Sequence, residues 1–501
     1  MLKDEYKKFL TKKRKTLVKK QTIFGVVFIL VGLVVVFLFI YLRSQKNAFE
    51  LHGRFGITID AGGSGTRLSI YEYKKGKLHN ENYICENKGL TNSQLLSLYD
   101  SIHKCLVEAE KRIPLLINSK TPIYFAATAG MRLLKINNET AYQNIWNVVR
   151  HALNNSSFIV KLNETLLGSK EAAYSWASVN SLLDRKKSSG LFEMGSTSVQ
   201  LAFEPQSSET FLPSSHTENV VLKKKSYNLY VYSFLCFGKD EFRRRYIARI
   251  IKKSGYSSNV KDPCHPLGYK KVIASNEIWN STCVNGLYAQ TVLGESFVKK
   301  NRSHFYVLHG SSNFTDCFNE VENMFYANCS HKFCDMNNVH YPASDAFFTA
   351  IGGGVYFSSK YLNLSNPVRI QAYKNATENL CSLNYTQLSS NKEFNDYTID
   401  YCLVDVFTYF IFHELLKLND SNKVMFANKI DNNVVSWTMG LILNKLHELS
   451  PANHYISRRL SNVTFYSAIT ASLVVIIIGL IAVICYYYKL RKTSYTLETQ
   501  S

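Results

Sequence analysis

Proline is scarce in this chain, at 9 of 501 residues, and glycine, at 24, falls far short of a triple-helix share. A collagen-like or proline-rich linker protein is excluded. Charge is thin as well: 19% of residues are Asp, Glu, Lys or Arg, while 46% are hydrophobic. That balance excludes an intrinsically disordered chain, because there is ample apolar surface for a core. No internal repeat is visible, which argues against a solenoid or propeller. No two cysteines have the CxxC spacing of a zinc pair. Acidic residues are outnumbered, 38 against 59 basic, for a net charge of +21. Polyanions are therefore candidate partners. The length suggests two or three folding units.

Two uncharged apolar runs are present, Ile23 to Leu42 and about Phe465 to Tyr488. Each has about the 20 residues a helix needs to cross a hydrocarbon core. The first is too long for a signal-peptide core and lacks a small-residue cleavage site after it, so it reads as an uncleaved anchor. Lys3, Lys7, Lys8, Lys12, Lys13, Arg14, Lys15, Lys19 and Lys20 precede it, and Lys489, Arg491 and Lys492 follow the second run. By the positive-inside rule both termini are expected in the cytosol, with residues 43–464 outside the cell or in a lumen. The expectation is a two-pass membrane protein with a basic tail at 1–22, spans at 23–42 and 465–488, and a short tail at 489–501. The cell surface is the expected location, and Golgi and lysosome share the same topology. The basic tail serves as a topology signal drawn to anionic membrane lipid. Nucleic acid is not an expected partner, because no groove-reading motif accompanies the charge. Spans of neighbouring subunits have the means to pack into a homo-oligomer.

Cysteine and glycosylation patterns agree with that sidedness. Ten of 11 cysteines lie between the spans and Cys485 lies within the second. An even number outside favours disulfides in an oxidising compartment. Asn-x-Ser/Thr sequons, from Asn138 to Asn462, are confined to the same region.

Phe55 to Asp60 reads as a buried strand, followed by Ala61-Gly62-Gly63-Ser64-Gly65-Thr66 and a second strand, Arg67 to Tyr73. Leu191 to Met194, Gly195-Ser196-Thr197-Ser198 and Val199 to Phe203 repeat the pattern. Each is a strand ending in a carboxylate, a small-residue turn and a returning strand. Two such hairpins suggest two related halves facing each other. Pro122 to Ala127 is a third buried strand with a helix start near Thr128 to Arg132, and Leu166 to Asn180 has helical spacing. Alternating strands and helices predict an α/β fold. Residues 205–345 read as an irregular, disulfide-tied insertion, and Cys402 to Leu418 as one long core helix.

A turn of glycine and serine presents backbone N–H groups and hydroxyls without Cβ obstruction, which suits a phosphate. A carboxylate at its edge makes sense when a divalent cation or its water stands between the two. Two such turns are able to grip one phosphate chain from both sides.

These motifs resemble those of the apyrases, the ecto-nucleoside triphosphate diphosphohydrolase family. The likeness runs in order through Asp60 to Thr66, Ala127-Thr128-Ala129-Gly130-Met131-Arg132, Glu171/Tyr174/Trp176/Asn180, Glu193 to Gln200 and Trp437 to Asn444. The resemblance implies two RNase-H-like lobes, actin- and sugar-kinase-like, with nucleotide in the cleft between them. Lobe I is then 43–180, completed by 445–464, and lobe II is 181–444.

The implied reaction is hydrolysis of nucleoside tri- and diphosphates to monophosphate and phosphate, dependent on Ca2+ or Mg2+. Glu171 matches the family's general base, and Ser198 and Gln200 match residues that orient the attacking water. Asp60 and Glu193, with Thr128, Glu171 and Trp437, match residues that hold the cation mostly through its water shell. Gly62, Gly63, Ser64, Gly65, Thr66, Thr128, Gly195, Ser196, Thr197 and Ser198 match the nucleotide's phosphate cradle. Phe357 and Tyr397 match the pair of rings that sandwiches the base, an arrangement that tolerates any base. The implied disulfides are Cys85–Cys105, Cys236–Cys283, Cys264–Cys317, Cys329–Cys334 and Cys381–Cys402.

The chain departs from the pattern at several positions. Gly63 and Gly65 stand where surface members usually carry Ser and His. Glu193 replaces an Asp, moving the carboxylate by about 1.5 Å, one carbon–carbon bond. Ala172 replaces a Gly beside the base, Ser196 replaces a Gly, and Gly352-Gly353-Gly354-Val355-Tyr356 replaces an aromatic-rich segment. Reduced or retuned activity is expected. A catalytically weak nucleotide-binding surface protein of the same fold is the alternative, and a phosphotransferase such as a sugar kinase a third reading.

Overall fold

A computed structural model describes residues 53–449, except 75, 87, 93–94, 184, 207–213, 295–303, 326–341, 343 and 345. It also describes 12, 16, 19–20, 22–41 and 462–498. The chain forms two units. One comprises Met1–Arg54, Lys74–Gly76 and Pro451–Ser501, the other Phe55–Tyr73 and Lys77–Ser450.

The first unit holds two helices long and apolar enough to cross a membrane, Thr22–Tyr41 and Phe465–Lys489. They touch where glycine allows: a Cβ on Gly479 would lie 2.7 Å from the Gly25 carbonyl oxygen.

The second unit contains two large sheets. The first is built from β1 (Arg54–Gly62), β2 (Gly65–Lys74), β3 (Lys77–Glu86), β4 (Pro122–Ala127) and β5 (Ile159–Thr165), in the order β3-β2-β1-β4-β5. Parallel pairing of β4 with β1 on one edge and β5 on the other makes it a central strand, and it is apolar throughout because both its faces are buried. Between these strands come α1 (Leu95–Arg112), α2 (Ala129–Asn137) and α3 (Glu139–Asn154), and after them α4 (Gly168–Leu182).

The second sheet begins with β6 (Ser189–Met194), β7 (Ser198–Phe203), β8 (Thr217–Leu222) and β9 (Lys225–Leu235). Next come α5 (Lys239–Lys253) and a small sheet of β10 (Asn259–Asp262), β11 (Lys270–Ala274) and β12 (Phe305–Gly310), then α6 (Phe314–Phe325). The second sheet is completed by β13 (Phe347–Ile351), β14 (Val368–Arg369) and β15 (Lys423–Ala427), in the order β14-β15-β13-β6-β7-β9-β8. Its inner order, β9-β7-β6-β13-β15, repeats that of the first sheet, with a hairpin leading into parallel neighbours. The fold is α/β with two like halves, as the paired hairpins predict.

Three expectations need correction. The described part of residues 205–345 is tied by disulfides as expected, Cys236–Cys283 and Cys264–Cys317, but it is not irregular: β8 and β9 extend the second sheet, and α5, α6 and three further strands follow. The β9 segment Lys225–Leu235 carries aromatic residues on both faces, which hid its period-2 pattern. The apolar run from Cys402 is one buried helix as expected, but it ends earlier than Leu418: after α7 (Gly353–Tyr361) and α8 (Ile370–Ser382), α9 (Tyr401–Phe410) continues without a break into a wider, π-helical turn at Ile411–Leu415 and stops there. Finally, α10 (Trp437–Asn444), expected within lobe II, shares a buried cluster with Tyr71, Tyr124 and Leu166 of the first half.

Helices α4 and α10 follow the last strand of each half and pack on each other. Their backbones nearly touch, since a Cβ on Gly440 would lie 1.8 Å from the Tyr174 carbonyl oxygen. Disulfides join Cys85–Cys105, Cys236–Cys283, Cys264–Cys317 and Cys381–Cys402. The expected Cys329–Cys334 pair lies outside the described residues.

Candidate active site

Parallel register carries chemistry to neighbouring strand ends. Asp60 pairs with Ala126 and Ala61 with Ala127, so Asp60 near the end of β1 and Thr128, just past the end of β4, reach the same edge of the sheet. The Thr128 N–H donates to the Ala61 carbonyl at 3.3 Å. In the other half Glu193 lies opposite Gln200 across the β6–β7 hairpin and beside Ile351 of β13. Ligand sites of such sheets form where strand ends and hairpin turns meet.

One cleft, with about 460 Å³ of open space, is lined by Asp60, Gly62, Gly63, Ser64, Thr128, Glu171, Glu193, Gly195, Ser196, Thr197, Ser198 and Trp437. Arg67 and Ala129 complete it. Asp60 and Glu193 thus share one crevice. Gly65 and Thr66 lie outside this lining, with Thr66 buried in β2.

The second hairpin is turned by its own backbone. The Gly195 carbonyl accepts from the Lys239 N–H at 2.9 Å, and the Ser196 carbonyl from Asp240 and Glu241 at 3.0 and 3.2 Å. The Thr197 carbonyl accepts from Cys236 at 2.9 Å. With its carbonyls tied to residues 236–241, the tip lines the cleft, and the hydroxyls of Ser196 and Thr197 lie 2.5 Å from where a Cβ on Gly63 would be.

Burial dominates the electrostatics. Desolvation raises Asp60 to about 6, with Arg67 and a Trp437 hydrogen bond opposing it. It raises Glu171 to about 7, opposed by Arg132 and helped by Asp60. It raises Glu193 to about 8, and the negative charge of Glu171 pushes the same way. Asp60 Oδ1 and Glu193 Oε2 are buried without a hydrogen-bond partner. Three carboxylates crowded in low dielectric resist ionisation until a cation joins them. Among the described residues no three acidic, His or Cys side chains converge closely enough to ligate a metal directly.

Glu171, on the first turn of α4, pairs with the Arg132 guanidinium. Arg132 also donates to Ser233 Oγ at 2.9 Å. Gln200 Nε2 donates to Ser198 Oγ at 2.5 Å and reaches Ser233 Oγ at 3.4 Å. One polar chain therefore links Glu171 to Ser198 and Gln200. Arg132 was visible only as a motif letter, and Ser233 carried no local signal. Gly168 makes room for them, since a Cβ there would lie 2.5 Å from Arg132 Nη1.

Phe357 and Tyr397 are 50% and 66% exposed, available to a planar ligand and not spent on the core. Sequence reasoning missed Lys239, whose ammonium lies 5.0 Å from the Tyr397 ring centroid. It also missed Arg67, which donates to Ser64 Oγ at 3.3 Å.

The site is a cleft lined by carboxylates and two Gly/Ser hairpin turns in an α/β fold of two like halves. The sequence matches the GDA1/CD39 (nucleoside phosphatase) family over residues 47–459, and the chain belongs to that family. It is 24% identical to the human ectonucleoside triphosphate diphosphohydrolase 3, over 87% of this chain and 86% of that protein. It is 25% identical to the ectonucleoside triphosphate diphosphohydrolase 2 of Gallus gallus, over 88% of this chain and 92% of that protein. A nucleoside triphosphate hydrolase of Neospora caninum shares the fold, with a TM-score of 0.58 at 13% identity, covering 85% of this chain and 98% of that one.

Proposed function

We propose that this chain hydrolyses nucleoside tri- and diphosphates to monophosphate and phosphate, outside the cell or in a lumen, with Ca2+ or Mg2+. The observation that carries the reading is the meeting of Asp60, Glu171 and Glu193 with two Gly/Ser turns in one cleft. The turns suit a phosphate chain, and the orphaned oxygens of Asp60 and Glu193 suit a cation held partly through water. A bound cation would neutralise charge on the phosphates. Glu171 accepts the proton of the attacking water, and its pKa of about 7 suits a base near neutral pH. Ser198 and Gln200 orient that water, while Phe357 and Tyr397 stack the base and Lys239 adds a cation at its edge. The two apolar helices anchor the protein, with both termini in the cytosol.

The test is phosphate release from ATP and ADP by the detergent-solubilised full chain in Ca2+ or Mg2+, with Glu171→Ala as control. Metal-dependent release that the substitution abolishes is expected. Equal release by both proteins overturns the assignment of Glu171, and tight ATP binding without turnover selects a non-catalytic nucleotide receptor.

A further inference from the structure

Away from the lining of the cleft, four charged side chains meet in one chain. Asp262 ends β10, His265 lies in the loop that follows, Arg243 is on α5, and Asp400 immediately precedes α9. His265 is buried, with Nδ1 2.6 Å from Asp262 Oδ2 and Nε2 3.0 Å from Asp400 Oδ1. Arg243 Nε donates to that same Asp400 oxygen at 2.8 Å. Burial pulls the His265 pKa down, but the carboxylates on its two sides outweigh burial and raise it to about 9. The ring is therefore an imidazolium near neutral pH, and two cations balance two carboxylates. Both ends are anchored. Cys264, beside His265, is bonded to Cys317 of α6, and Cys402, two residues after Asp400, to Cys381 of α8.

Asp400 also closes the turn that carries Tyr397, its N–H donating to the Tyr397 carbonyl at 3.1 Å. Thr398 and Ile399, between them, are buried, so Tyr397 is the exposed end of the turn. The Tyr397 N–H donates to Asn395 Oδ1 at 2.9 Å, a bond made within the same loop. Lys239 and Arg243 stand one helical turn apart on α5. One face of α5 thus meets the Tyr397 ring with one cation and the carboxylate at the far end of the turn with the other.

We propose that Asp400, gripped by Arg243 and His265, is a positioning residue for the nucleobase: it fixes the turn that presents the Tyr397 ring and sets nucleotide affinity through that ring, without touching the substrate. This rests on the stacking role given to Tyr397 above. Asn in place of Asp400 leaves Arg243 and His265 facing a neutral amide, and two cations without their shared counter-charge push the turn out of place.

The experiment is a double-mutant cycle on the detergent-solubilised full chain with Ca2+. It is read as Kd for a non-hydrolysable ATP analogue and as KM and kcat for ATP. Asp400→Asn is expected to raise Kd and KM by about fivefold with kcat within about twofold of wild type, and to add nothing in a Tyr397→Ala background. Effects of the two substitutions that multiply overturn the proposal, as does a fall in kcat and melting temperature with KM unchanged. Arg243→Met keeps the alkyl stem and leaves Asp400 paired with His265, so it decides the matter should Asp400→Asn fail to fold. A rise in KM of about threefold that vanishes beside Tyr397→Ala is then expected, and an unchanged KM overturns the brace. Tyr397→Ala with wild-type Kd removes the stacking reading and the brace with it. Tyr397→Ala that weakens binding, beside an Asp400→Asn that does not, overturns the brace alone.

Discussion

Arg132 and Glu171 form an ion pair, their side chains 16% and 9% exposed, and Glu171 lines the cleft. Removing the guanidinium takes away the charge that holds the Glu171 pKa down against burial. Arg132→Lys keeps the charge but loses the fork that reaches Ser233. We expect it to lower kcat by about 100-fold through misplacement of the base and its water. Arg132→Gln should in addition shift the acid limb of the pH–rate profile to higher pH, because Glu171 then ionises later. Steady-state rates between pH 5 and 9 check both.

Stability without divalent cation should fall as pH rises. Asp60, Glu171 and Glu193 have folded pKa values of about 6, 7 and 8, above their unfolded values of 3.8, 4.5 and 4.5. The folded state thus holds more protons, and stability present below about pH 4 is lost through pH 6–8. Thermal melts in EDTA across that range should fall, and Ca2+ or Mg2+ should flatten the trend. Glu193→Gln should flatten it in EDTA as well. A melting temperature that rises from pH 5 to 8 in EDTA would contradict this.

Gly440→Ala should destabilise the unit that holds the two large sheets by about 3 kcal/mol. The added methyl meets the Tyr174 backbone, which has no rotamer to offer as relief. Denaturant unfolding of wild type and variant measures the difference. Activity should fall with it, since α4 carries Glu171 and α10 carries Trp437.

Tyr397→Ala should raise KM by about 10-fold with little change in kcat, the loss expected for one stacked base. Because stacking ignores base identity, ATP, GTP and UTP should suffer alike. Lys239→Ala should act in the same direction more weakly, as its ammonium lies over the face of that ring.

Much of the fold was legible because periodicity is a local property. The strand at Pro122–Ala127 is apolar at every position because it is a central parallel strand buried on both faces, and its bounds were read without error. The hairpins at Asp60 and Glu193 announced themselves through small residues between apolar runs. Lys225–Leu235 did not, since aromatics on both faces erase alternation.

The sequence by itself determined the two apolar helices, the paired carboxylate-tipped hairpins and the α/β class, because each is written in neighbouring positions, and the order of its motifs carried the resemblance that named most of the cleft's lining. Tertiary structure alone decided what those residues meet. Ser233 beside Arg132, Lys239 under Tyr397, Gly440 against Tyr174 and Gly63 against Ser196 are contacts between segments far apart in the chain. Such contacts depend on sheet order and helix crossing, and no local rule of spacing or propensity encodes the distance between two side chains that only packing brings together.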